Sequence, residues 1–325
     1  MFLSPNELDN IAKWQYKVTD NSISTKYYKN FWNLCESYIS PKISPNLISF
    51  TGFFLIISNY ILSSIYYTDF PVFISLYVAI STQIYCHLDA IDGIHARNTK
   101  TSSTLGELVD HVCDTIGLIF IILSFCNIFN IFDISIRTYV TLTGMIGFQF
   151  FHIQAYLYKG VEFGKYTGPV ELLTLYSFII LGKTFGLINE NHFTDAVSFL
   201  IPYVFMIFFC GNTYYVMEKF NKYNYIQNLI VFVTLYFIIL CSILFSNYNT
   251  YYIFNMCVNM CVLTSEFILS KMGSKNLPYF LIILFIVSQF NNIIGICFSV
   301  YYIFKILDSI ATHMNLNLIY HNLKN

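Results

Sequence analysis

The chain has 325 residues, of which 56% are hydrophobic and 11% charged, with a formal net charge of −1. A soluble domain carries about 25% charged residues, so this inventory cannot cover a water-facing surface, and the solvent for most side chains must be lipid or other protein. The near-zero charge also argues against a nucleic-acid partner, and nine scattered cysteines without a CxxC pair imply neither a zinc site nor a disulfide framework.

Residues 1–45 are mixed and polar and read as a separate N-terminal segment on the cytosolic side. Within it, Tyr27–Ser44 is aromatic, amphipathic and flanked by lysines, which suits a helix lying in the membrane interface. From residue 46 onward the chain is one apolar domain, 46–325. A helix needs about 20 apolar residues to cross a hydrocarbon core roughly 30 Å thick. About ten such stretches follow, over 46–67, 70–89, 109–130, 138–158, 170–189, 196–217, 226–247, 250–270, 277–291 and 293–312. The ninth is short, and it parts from the tenth only at Asn291–Asn292. The fold class expected is therefore all-α: a polytopic integral membrane protein, since the runs are too long and too continuous for a β-barrel. With a cytosolic N-terminus, this alternation leaves only Arg137 and Lys183 among the Lys and Arg on the far side. The loop 93–108 then faces the cytosol.

That loop is bracketed by four aspartates, Asp89, Asp92, Asp110 and Asp114, within 26 residues. On helices, Asp89 and Asp92 share a face with Gly93, Ala96 and Arg97, and Asp110 and Asp114 share another, one turn after Gly106 and Glu107. Each ionised Asp at bilayer depth costs about 2.5–3.5 kcal/mol on insertion scales, and like charges repel. Such a cluster persists when a cation neutralises it. An all-oxygen set suits Mg²⁺, with Mn²⁺ as the alternative, and not zinc. Carboxylate-held Mg²⁺ works on phosphates, the small residues admit a bulky ligand, and Arg97 suits a phosphate. The residues themselves thus point to a metal-dependent site for a phosphate or pyrophosphate compound at the cytosolic membrane surface.

The pattern Asp89-x-x-Asp92-Gly93-x-x-Ala96-Arg97, then Gly106-x-x-x-Asp110-x-x-x-Asp114, resembles the CDP-alcohol phosphotransferase motif at every defining position. His87–Gly93 and Leu105–Asp114 are similar to segments of the eukaryotic choline/ethanolamine phosphotransferase branch. Leu3-Ser4-Pro5, Ser44–Ile48, His152-x-Gln154-x-Tyr156 and Gly168–Glu171 extend the likeness. The chain departs from the branch at Val112, where Gly is common and which bears on alcohol selectivity. It departs also at Asn98, commonly a second Arg, and at Ile94-His95, commonly Lys-Gln.

The resemblance implies transfer of phosphoethanolamine or phosphocholine from CDP-ethanolamine or CDP-choline to diacylglycerol, with release of CMP, in the endoplasmic reticulum or Golgi membrane. It implies two Mg²⁺ held by the four aspartates, Arg97 supporting the pyrophosphate, and Asn46 and Glu107 contacting the nucleotide beside Gly93, Ala96 and Gly106. His111 is the expected general base, oriented by Glu171, and the family suggests a homodimer. Within the family, an inositol or glycerol phosphate acceptor is the alternative. An intramembrane Mg-dependent prenyltransferase would separate its two acidic clusters by a longer stretch, and an ion transporter would place acids at several mid-membrane positions.

Overall fold

The computed structural model describes residues 2–15, 18–158, 160–166, 168–222, 226–245 and 249–316; the end of the expected membrane domain, 317–325, lies outside them, as do 246–247 of the seventh expected span. Among the described residues there are twelve helices and one pair of three-residue strands. In chain order they are α1 (Pro5–Lys13), β1 (Val18–Asp20), α2 (Ile23–Ser37), α3 (Pro45–Tyr66), α4 (Pro71–Asn98), α5 (Thr104–Ile128) and α6 (Ile134–Tyr158). Then follow β2 (Val161–Phe163), α7 (Pro169–Thr184), α8 (Glu190–Lys222), α9 (Ile226–Phe245), α10 (Thr250–Gly273), α11 (Phe280–Phe290) and α12 (Asn292–His313). The protein is all-α and integral to the membrane.

A helix stands at each of the ten expected spans. Six of them, α3, α4, α5, α8, α10 and α12, are long and apolar enough to cross a membrane. The stretch at 277–312 divides at Asn291, whose extended backbone separates α11 from α12. An 11-residue α11 is too short to cross by itself. Large apolar side chains lie outside: Phe54, Ile61 and Ile65 on α3, Phe73 and Ile80 on α4, Phe178 on α7. A patch of this kind is stable only against lipid or protein.

The chain folds as two compact units, each with its own packing. One contains α2 to α5, β1, β2 and α7. Its helices are joined by polar side chains that would otherwise be stranded in hydrocarbon. Asn59 on α3, fully buried, accepts from Ser81 Oγ and donates to Thr82 Oγ1 at 3.2 Å on α4. Gln83 Nε2 on α4 donates to Leu173 O at 3.0 Å and Ser177 Oγ at 2.9 Å on α7. Tyr176 OH returns from α7 to Ile121 O on α5 at 3.1 Å. Lys183 at the end of α7 pairs with Glu190 at 2.7 Å and donates to Tyr67 OH and Ile128 O.

In the same unit α2 begins four residues before the expected amphipathic stretch, capped by Ser22, and ends at Ser37, seven residues before Ser44, with Pro41 in the link to α3. It buries Trp32 against α4 and leaves Tyr27 and Tyr38 exposed. The parallel pair β1–β2, in register Val18↔Val161 and Asp20↔Phe163, joins the lead into α2 to the lead into α7. Three-residue strands lack the alternation by which a strand is read from sequence.

The other unit contains α1, α6, most of α8, and α9 to α12. α10 is its axis, buried along nearly its whole length. α1 opens with a capping box, Ser4 taking Glu7 N while Glu7 Oε2 takes Ser4 N at 2.7 Å, and buries Leu8 and Ile11. Burial raises the Glu7 carboxyl, but the Ser4 bonds and the Lys275 charge outweigh it, and the group sits below its ordinary range. Asn10 Nδ2 donates to Gly273 O at 3.2 Å, which ties α1 to the end of α10. The wholly buried Glu266 of α10 is neutralised by Lys275 Nζ at 2.9 Å and accepts from Tyr302 OH of α12. Removing one partner of a buried pair strands the other charge. Lys275→Ala is expected to destabilise the protein by about 3–5 kcal/mol, read as a fall in melting temperature in detergent. Glu266→Gln in the same background should recover most of that loss.

Candidate functional site

The four aspartates sit well inside helices, because α4 continues nine residues past Asp89 and α5 starts six before Asp110. α4 stops where Lys100 turns left-handed at φ 58°. α5 starts where Ser103 caps it, its side chain accepting from Gly106 N at 3.0 Å. The link is thus only Thr99–Ser103, which holds the two acidic faces together. Asp89, Asp92 and Asp110 each present a carboxylate oxygen, and these oxygens all lie within 4.8 Å of one another. Three anionic groups at that spacing, all of oxygen, fit a hard divalent cation.

Asp114 stands beside these three. It accepts from Tyr85 OH at 2.6 Å. Asp92, the most buried of the cluster, accepts from Ser49 Oγ of α3. These two supports, Ser49 and Tyr85, are absent from the sequence reading. Tyr85 had a signal, since it lies one turn before Asp89 on the same face of α4. Ser49 had none, because only tertiary packing brings α3 beside α4. A close approach at Gly52, where a Cβ would stand 3.0 Å from Tyr85 Cδ2, lets the Tyr85 ring pack against α3. Tyr85→Phe is expected to weaken metal affinity about tenfold, as outer-shell losses do. The check is the Mg²⁺ concentration for half-maximal nucleotide binding, against unchanged thermal stability.

The small residues serve the site differently from one another. Arg97 folds back over Gly93, its guanidinium 3.2 Å from where a Cβ would be. Gly106 packs on Ser103 Oγ and Asn46 Oδ1, at 3.4 and 3.5 Å from its Cβ position, which brings the start of α3 to the start of α5. Ala96 lies half-buried between Arg97 and the buried His95. Glu107 is half-buried in the first turn of α5. Asn46, Gly93, Ala96, Arg97, Gly106 and Glu107 all belong to the unit that carries the aspartates.

His111 follows Asp110 on α5. Its Nδ1 is 2.7 Å from Glu107 O, and 3.7 Å from Asp110 Oδ2. A carbonyl only accepts, so Nδ1 carries a proton, and in the neutral ring Nε2 bears the lone pair. Glu171 lies in the first turn of α7. Its Oε1 accepts from Ser24 N at 2.9 Å, while its Oε2 is buried without a hydrogen-bond partner. Ser49, Gly52, Tyr85 and Cys113 line a tight crevice together with Asp89, Asp110 and Asp114.

Residues 42–240 match the family described as CDP-alcohol phosphatidyltransferase. The chain belongs to that family. Among curated relatives, it is 29% identical over 219 residues to uncharacterized CDP-alcohol phosphatidyltransferase class-I family protein 2 of Dictyostelium discoideum, covering 64% of this chain and 51% of the relative. It is 31% identical over 140 residues to ethanolaminephosphotransferase 1 of Homo sapiens, covering 40% and 35%. It is 29% identical over 192 residues to choline/ethanolaminephosphotransferase 1 of Saccharomyces cerevisiae, covering 56% and 48%. The matches span about half the length of these relatives or less. The acidic cluster and His111 all lie inside the family region.

Proposed function

We propose that the protein transfers phosphoethanolamine or phosphocholine from its CDP ester to diacylglycerol, forming the phospholipid and CMP. The observation that carries the reading is the triad of carboxylates within 4.8 Å, contributed by two helices, in a chain of this family. Asp89, Asp92, Asp110 and Asp114 would hold Mg²⁺, whose charge offsets the pyrophosphate and the departing CMP. Arg97 adds a fixed cation on the same side. Asn46, Glu107 and the small faces of Gly93, Ala96 and Gly106 seat the nucleotide.

The diacylglycerol hydroxyl attacks the distal phosphorus, a new P–O bond forms, and the bond to CMP breaks. The hydroxyl proton passes to His111 Nε2, the nitrogen that its Nδ1 hydrogen bond leaves basic. Glu171, with a buried oxygen to spare, is the second carboxylate proposed to orient that imidazole. Around this centre we place about ten apolar membrane spans, of which α11 is too short to cross alone, the interfacial helix within 1–45, and the transferase domain in 46–325. The site faces the cytosol at the endoplasmic reticulum or Golgi, and the enzyme is a homodimer.

Purified protein in detergent, with diacylglycerol and Mg²⁺, should release CMP from CDP-ethanolamine, CDP-choline or both, and chelation should abolish the release. The ratio of the two rates assigns the head group. Absence of CMP from either donor, in folded protein, would rule out this reaction. Turnover of CDP-diacylglycerol with inositol or glycerol phosphate would move the chain to another branch.

A further inference from the structure

We propose that Glu36 and His95 form a strap that fixes the spacing of Asn46 and Arg97 and thereby positions the site for its CDP-alcohol; the donor half of the proposal rests on the function above. His95 is wholly buried on α4, two residues before Arg97. Its Nδ1 lies 2.9 Å from Glu36 Oε1 on α2, and its Nε2 lies 3.0 Å from Ile43 O in the link between α2 and α3. Ile43 is three residues before Asn46. A carboxylate and a carbonyl only accept, so the ring donates in both directions, and the Glu36 contact is charge-assisted. Glu36 Oε2 takes a further bond from Asn98 Nδ2 at 2.7 Å. One carboxylate and one imidazole thus join α2, the lead into α3 and the end of α4.

A further bond from α2 to α4, Trp32 Nε1 to His87 Nδ1 at 3.0 Å, lies eight residues earlier on α4 and does not reach this link. The strap therefore governs the part of the site built from the start of α3 and the end of α4. It leaves the four aspartates to Ser49, Tyr85 and the α4–α5 turn.

A positioning role separates from bulk stability by its kinetic signature. Glu36→Ala removes the acceptor from His95 and Asn98. Glu36→Gln can keep all three bonds, its amide donating to a neutral His95 Nδ1 and its carbonyl accepting from Asn98, while His95 Nε2–H still donates to Ile43 O.

The experiment compares wild type, E36A and E36Q in detergent by steady-state kinetics, and by backbone hydrogen exchange over residues 39–46. E36A should raise the KM for the CDP-alcohol about tenfold, leave the diacylglycerol KM unchanged, and change kcat by less than about threefold. Exchange over 39–46 should quicken, and E36Q should restore both. A wild-type donor KM in E36A, a loss confined to kcat, or an E36Q as impaired as E36A would overturn the proposal. If E36A does not yield folded protein, Glu36→Asp, one methylene short of His95, carries the same expectations. Exchange needs no turnover. A wild type inactive on every CDP-alcohol would sink the function, while unchanged exchange in E36A would sink the strap.

Discussion

Asp110→Asn is expected to lower CMP release by more than about a hundredfold at saturating Mg²⁺, beyond the 10–100-fold typical of outer-shell losses around a metal. Asp110 is the one member of the close triad supplied by α5; Asp89 and Asp92 come from α4. Asparagine has the same shape but one charge fewer, so the cation would lose its close-triad ligand from α5 and keep only Asp114 on that helix. The effect on stability should have the opposite sign. With three carboxylate oxygens within 4.8 Å, the metal-free protein bears like-charge repulsion that the substitution relieves. Melting in the presence of chelator should therefore be unchanged or raised in the variant. Loss of activity together with a lower melting temperature under chelation would show that Asp110 is structural and would remove it from the metal site.

His111→Gln is expected to reduce kcat by about 10²–10⁴-fold near neutral pH, the usual contribution of a positioned general base. The KM for the CDP-alcohol should change little, because the ring is assigned to the acceptor hydroxyl and not to the nucleotide. Glutamine can keep a hydrogen bond to Glu107 O but has no basic nitrogen to take a proton. The check is steady-state kinetics at several pH values in Mg²⁺. A kcat within tenfold of wild type would show that the proton leaves by another route.

Most of the architecture is legible in the sequence because the hydrophobic requirement of a membrane is one-dimensional. A run of about 20 apolar residues needs no partner to be recognised, and a helix stands at each expected span. The break at Asn291 was visible for the same reason, as an interruption of an apolar run. The polar N-terminal segment was harder to read. α1 carries a capping box at Ser4 and Glu7, but a nine-residue helix in polar sequence is stabilised only by its docking on α10. The strands β1 and β2 are separated by well over a hundred residues, and their pairing has no local signature.

In the site, the spacing of the aspartates and the small residues between them was enough to name the cluster and the family. Charge at helix depth is costly and so stands out from its surroundings. What the sequence by itself determined is therefore the apolar helical spans, the acidic motif and the family. The tertiary structure decided which oxygens converge, that Ser49 and Tyr85 support Asp92 and Asp114, and that His111 donates through Nδ1. It also brought Glu36 of α2 onto His95 of α4. These contacts join residues on different helices, and their distances follow from packing that no periodicity along the chain encodes.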